Sequence, residues 1–215
     1  MIRRRTVTGA AVLLFLTMAP LPALAQPKVF SLLRQSTATF KSEGLIETVV
    51  GTTAGPGMRG SVTLDLARPD RVTGTISIDL TAVRTGLDRR DEAMRGEDFL
   101  NTAREVNRFA VFDIKAVEIA GPLEPGKEIP AKVRGTFTVK GKPVDLVADA
   151  RVIYLRLTPE EIEAQRRSGF TNEILRVKAR FNTSFTNHGM QIPQFYLLRL
   201  ADAIQVEADL ILVHE

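Results

Sequence analysis

The sequence predicts an all-β fold, an antiparallel barrel of about eight strands with one or two short helices in its connections. Three observations carry that reading. Apolar and polar residues alternate with period two through most of the chain after residue 25. Turns bearing glycine or proline separate the alternating runs at hairpin spacing. No run beyond the N-terminal segment is long and apolar enough to span a bilayer.

The first 25 residues stand apart. Arg3, Arg4 and Arg5 form a basic start, Ala10 to Met18 is largely apolar, and Ala23-Leu24-Ala25 is a small-x-small cleavage site. Residues 1–25 therefore read as a signal peptide and Gln26 as the mature N-terminus. The apolar run is short for a span and leads into Pro20 and Pro22, which argues against a retained anchor. Arg4-Arg5-Thr6-Val7 loosely fits a twin-arginine signal, so the export route stays open. Residues 26–215 are of a length suited to one domain.

The leader holds three Arg and no acid. Of 29 basic residues 26 remain, against 25 acidic ones, a net charge of +1. A nearly neutral domain has no field that gathers nucleic acid, and none is expected as a partner. Cysteine is absent, which excludes disulfides, thiolate metal sites, a cysteine nucleophile and lipidation at a lipobox.

In chain order, alternation runs through Val62, Leu64 and Leu66, then Val72 to Leu80, then Ala110, Phe112, Ile114 and Ala116. It continues through Val133 to Val139, Val144 to Val152, Leu175 to Thr183, and Ile204 to Leu212. Gly55-Pro56-Gly57, Arg68-Pro69-Asp70, Gly121-Pro122, Pro125-Gly126 and Lys140-Gly141-Lys142 read as turns. Alternation alone does not separate a barrel from a sandwich. Small residues on the inward faces (Gly74, Gly135, Ala148, Ala150, Ala179, Ala208) suit an interior with room, and equally a core in which small residues oppose large ones.

Two segments break the pattern. Asp88 to Gly96 reads as a short helix with Asp88 at its N-cap and Gly96 as its stop. Thr158-Pro159-Glu160-Glu161 starts a second helix with a capping box, and Gly169 ends it. Its apolar face is thin, essentially Ile162 and Ala164, so it is expected on the surface, as a solvated insertion or a lid.

The stretch from Thr85 to Leu100, with Thr85-Gly86, Arg90-Asp91, Met94-Arg95 and Asp98-Phe99, resembles the signature of the YceI family. Gly60 to Leu66, Arg134 to Val147 and Ala201 to Leu212 resemble its strands in the same order, so the likeness covers nearly all of the mature chain. The chain departs from the pattern at Val106-Asn107, at the Thr158 helix and at Thr186-Asn187-His188. The resemblance implies a periplasmic, lipocalin-like eight-stranded barrel that binds a polyisoprenoid or another long-chain lipid. No other cofactor is expected. Partners beyond the lipid would be a transient membrane contact and, at most, a second copy of the chain, as monomer or homodimer.

The residues expected to line the ligand site are Phe40, Ile76, Ile78, Phe112, Phe137, Leu146, Val177, Phe181 and Val206. Arg89, Arg90, Asp91 and Arg95 are expected either to brace the loop or to meet an anionic head group, since a guanidinium matches phosphate in a fork. The sequence holds no Gly-x-Ser-x-Gly, no His-Glu-x-x-His and no glycine-rich phosphate loop. Its two histidines, His188 beside Gly189 and His214 near the end, do not suggest a metal site or a triad. A binding protein is the expectation, not an enzyme; a structural barrel filled by its own side chains is the alternative.

Overall fold

The computed structural model describes residues 26–192, 194–195 and 198–214; the leader assigned to residues 1–25 lies outside them. The strands are β1 Lys28–Leu32, β2 Thr37–Gly44, β3 Thr48–Ala54, β4 Met58–Asp65, β5 Arg68–Asp79, β6 Phe109–Ile119, β7 Glu128–Val139, β8 Lys142–Arg156, β9 Glu173–Ser184, β10 Gln194–Phe195 and β11 Leu198–His214. Helix α1, Asp88–Arg95, lies between β5 and β6, and α2, Pro159–Ala164, between β8 and β9.

All pairings between these strands are antiparallel, in the order β1-β4-β5-β6-β7-β8-β9-β11, and β1 pairs back onto β11 to close the ring. β2 continues β1 along the free edge of β11, and β3 continues β4 in the same way beside β2. The molecule is thus an eight-stave, up-and-down barrel whose first two staves are each broken once. The first break is stitched to the last strand by Ser36, which is fully buried. Its Oγ accepts the Ile211 N–H at 3.0 Å and donates to the Ile211 carbonyl at 3.3 Å, so β11 stays hydrogen-bonded across the gap.

The ends differ. At one end the loop at 120–127 folds inward with Leu123 buried, and Glu173 gathers Lys28, Tyr154 and Arg156 around a carboxylate that is almost wholly covered. Burial pushes the Glu173 carboxyl up, but its bonds to Lys28 and Tyr154 outweigh this and hold it below the ordinary range. At the other end the segment between β5 and β6, including α1, roofs the barrel. There the Lys140-Gly141 turn joins β7 to β8 with φ of 51° and 68°, the two left-handed residues of a type I′ hairpin.

Several sequence readings change. Arg68-Pro69-Asp70 opens β5 and is not a turn; Pro is tolerated near a strand start, and the turn itself is Leu66-Ala67. Ala116 faces solvent because the pairing shifts between Ile114 and Ala116, which turns Val117 and Ile119 inward in its place. The N-cap of α1 is Leu87, not Asp88. The capping box of α2 is present, with Glu161 N–H donating to Thr158 Oγ1 at 3.3 Å and Thr158 N–H to Glu161 Oε2 at 2.8 Å. α2 nevertheless stops at Ala164, followed by a 3-10 turn. Gln35 ties that turn to the barrel wall through the Ser168 carbonyl, and no residue of α2 lines the interior: it is a solvated insertion.

Candidate functional site

Inside the barrel the inward faces of the strands leave two adjoining cavities. The larger, about 120 Å³, extends toward the Glu173 end, and every side chain lining it is apolar, from Leu64 and Val72 through Val152 to Leu212. The smaller, about 100 Å³, lies beneath α1 and is bounded by Phe40, Met94, Phe99, Leu100, Phe185 and Met190, among others. Ile78, Ala110, Phe137 and Val206 border both.

An aromatic cluster forms the partition. Phe137 packs against Phe181 at 5.0 Å between ring centroids, Phe181 against Phe112 at 5.6 Å, and Phe112 against Phe137 at 6.5 Å. Two glycines seat the rings. A Cβ at Gly135 would come within 2.5 Å of both the Phe112 ring and the Asp113 carbonyl, and a Cβ at Gly51 would strike the Phe40 ring. Gly135 and Gly51 therefore make space for side chains, whereas Ala148, Ala179 and Ala208 face the larger cavity directly.

Of the nine residues expected to line the interior, Phe40 borders the smaller cavity, and Ile76, Phe112, Val177 and Phe181 the larger, while Ile78, Phe137 and Val206 touch both. Leu146 lines neither; it packs against the apolar cluster around Phe137. Phe112, Phe181 and Val177 point into the barrel yet are only half-buried. Surface left uncovered on the inner face of a closed barrel is the wall of a cavity.

Sequence reasoning missed the roof residues Met94, Phe99 and Leu100, which sit in a largely polar segment, and also Thr53, Phe185, His188 and Met190 beside them. His188 is fully buried, edge-on to Phe137 at 5.5 Å. Its Nδ1–H donates to the Lys142 carbonyl, so its Nε2 accepts from the Thr183 hydroxyl at 2.8 Å. Burial pushes its pKa down and keeps it neutral.

The arginine-rich loop divides by role. The Asp91 side chain accepts the Thr85 N–H and hydroxyl on Oδ1 at 2.8 and 2.6 Å. Burial raises the Asp91 carboxyl, but these bonds and the nearby Arg95 and Arg84 hold it below the ordinary range. Arg90 donates to Thr85 and to Glu47, tying α1 to the β2–β3 turn. Arg89 is exposed, and Arg95 has a buried Nη1 without a partner.

Over residues 31–212 the sequence matches the family model described as the YceI-like domain. The chain belongs to the YceI-like family. Solved structures similar to this YceI-like barrel share its fold at low identity. A polyisoprenoid binding domain from Saccharophagus degradans, implicated in plant cell wall breakdown, is 16% identical with a TM-score of 0.62, covering 86% of this chain and 98% of that one. BcnA of Burkholderia cenocepacia is 15% identical with a TM-score of 0.59, over 82% of this chain and 95% of its own. The YceI protein of Campylobacter jejuni is 17% identical with a TM-score of 0.60, over 79% and 86%. No curated protein matches the sequence. Among the described residues, no helix is long and apolar enough to cross a membrane, and no cluster of His, Asp and Glu could hold a metal ion.

Proposed function

We propose that this YceI-like barrel is an exported, periplasmic carrier or store for a long-chain lipid of the polyisoprenoid class, held along the barrel axis. The observation that carries the reading is the wholly apolar lining of the larger cavity, inside a barrel closed by its own first and last strands. Burying each CH2 is worth about 0.8 kcal/mol, so some ten buried carbons contribute roughly 8 kcal/mol before ordering costs, on the scale of micromolar binding. An apolar cavity of about 150 Å³ accepts a benzene-sized group. A long chain therefore needs both cavities and must pass the Phe137 partition.

No acid–base role is assigned to the cavity wall, because both nitrogens of His188 are committed to hydrogen bonds. A structural barrel with a self-filled core is the competing reading, and the uncovered inner surfaces of Phe112 and Phe181 argue against it. The test is organic extraction of protein purified from the periplasm, with mass spectrometry of both extract and intact chain. Near-stoichiometric recovery of one long-chain lipid, on a chain beginning at Gln26, is expected. A lipid-free protein that also fails to take up added polyprenol would overturn the binding role, and a retained Met1 would overturn the leader.

A further inference from the structure

Neither cavity is lined by a cation, so a side chain that meets an anionic head by charge lies at an end of the barrel. The roof at the α1 end offers a candidate. Met94 and Leu100 line the smaller cavity, and Arg95 follows Met94 in the last turn of α1. The loop at 96–102 folds back on Arg95 and fastens its backbone: the Thr102 N–H donates to the Arg95 carbonyl at 3.1 Å, and the Thr102 hydroxyl to the same oxygen at 3.3 Å. The guanidinium is not fastened in the same way, because its Nη1 is buried with no hydrogen-bond partner.

The other arginines of this roof are spent or turned away. Arg84 donates to the Thr81 and Val83 carbonyls, Arg90 to Thr85 and Glu47, and Arg108 to Asp79. Arg89 and Arg104 are exposed to solvent. Arg95 and Arg84 both act on the single carboxylate of Asp91, whose Oδ1 already takes two hydrogen bonds from Thr85. A buried guanidinium N–H with no partner is the complement of an oxyanion, and charge-assisted bonds of this kind are about twice as strong as neutral ones.

We propose that Arg95 is the head-group contact of the barrel, binding the phosphate or carboxylate of an amphiphile whose tail runs beneath Met94 into the smaller cavity. The assignment rests on the lipid-binding reading above and adds the charge of the ligand and its direction, head at the α1 end and tail toward Glu173. It separates Arg95 from Arg90 and Asp91, which brace the loop.

The experiment is calorimetric titration of the mature protein with geranylgeranyl phosphate, geranylgeraniol and inorganic phosphate, repeated on Arg95→Gln and Arg95→Lys. Wild type should prefer the lipid phosphate to the alcohol by about tenfold, the increment of one charge-assisted bond. Arg95→Gln should remove that preference by weakening the phosphate alone, and Arg95→Lys should keep part of it. Equal affinity of wild type for phosphate and alcohol overturns the head-group role while leaving the cavity reading intact. Equal weakening of both lipids in Arg95→Gln shows that Arg95 only supports the roof. Binding of neither lipid overturns both readings. Heat from inorganic phosphate that Arg95→Gln abolishes, without any preference between the lipids, makes the site one for free anions and overturns the lipid assignment.

Discussion

Phe137→Ala separates a barrel with a ligand space from one with a filled core. In a filled core the change removes about 100 Å³ of side chain, and at about 24 cal/mol per Å³ the void alone costs roughly 2.4 kcal/mol. Lost transfer energy brings such changes to about 3 to 5 kcal/mol. Phe137 is 6% exposed and borders both cavities, so two of its faces have few contacts to lose and the expected loss falls to about 2 kcal/mol. The remaining contacts, with Phe181, Phe112 and His188, set the lower bound. Urea unfolding followed by far-UV circular dichroism measures the loss, since the chain has no Trp to report it by fluorescence. The same change removes the partition, so geranylgeraniol at fixed excess should stabilise the variant more than wild type, through the linkage of binding to folding. A loss of 4 kcal/mol or more that added prenol leaves untouched would refute this reasoning and favour the self-filled core.

Three further outcomes follow from the same geometry. Ala148, 2% exposed on the wall of the larger cavity, should accept Leu with little change in the unfolding midpoint while prenol affinity drops about tenfold in titration calorimetry; unchanged affinity would place the tail elsewhere. Burial lowers the pKa of His188 from its ordinary 6.5, so the unfolded chain binds a proton that the folded barrel refuses. That contribution to stability is complete above about pH 6.5 and is lost below it, and His188→Gln should flatten urea midpoints between pH 6.5 and 5. A wild-type curve that is flat there would contradict the assignment. Asp91→Asn weakens two bonds to Thr85 and should lower stability by about 1 to 3 kcal/mol in the same unfolding assay, while prenol still binds; loss of prenol binding in a folded variant would make Asp91 part of the site.

Much of the barrel was legible because each strand has one wet face, and period two then reports which residues point inward. This worked for Phe137, Val177 and Val206, whose strands pair without a shift in register beside them. It failed after Ile114, where a register shift that no local residue signals exchanges Ala116 for Val117. Gly135 reads in sequence as spare room, but a cross-strand ring fills that room, and which ring covers a glycine depends on pairing between β6 and β7. His188 looked like a turn residue because its burial comes from Phe137 and from the Lys142 carbonyl, both distant in sequence. The roof was opaque for a similar reason: Met94 and Leu100 flank charged residues, and only the fold turns them downward.

The pairing of β1 with β11 also bears on how the chain reaches this state. In the meander each stave finds its partner in the stave just before or after it, through local contacts that form early. Closure is the exception, because Phe30 must wait for His214 and Ser36 for Ile211. A chain delivered across a membrane N-terminus first would hold its opening strand with one bare edge throughout translocation, a template for pairing with a neighbouring chain. The seam is thus the pairing of longest sequence separation in the barrel, and the Lys28–Glu173 ion pair reaches across it.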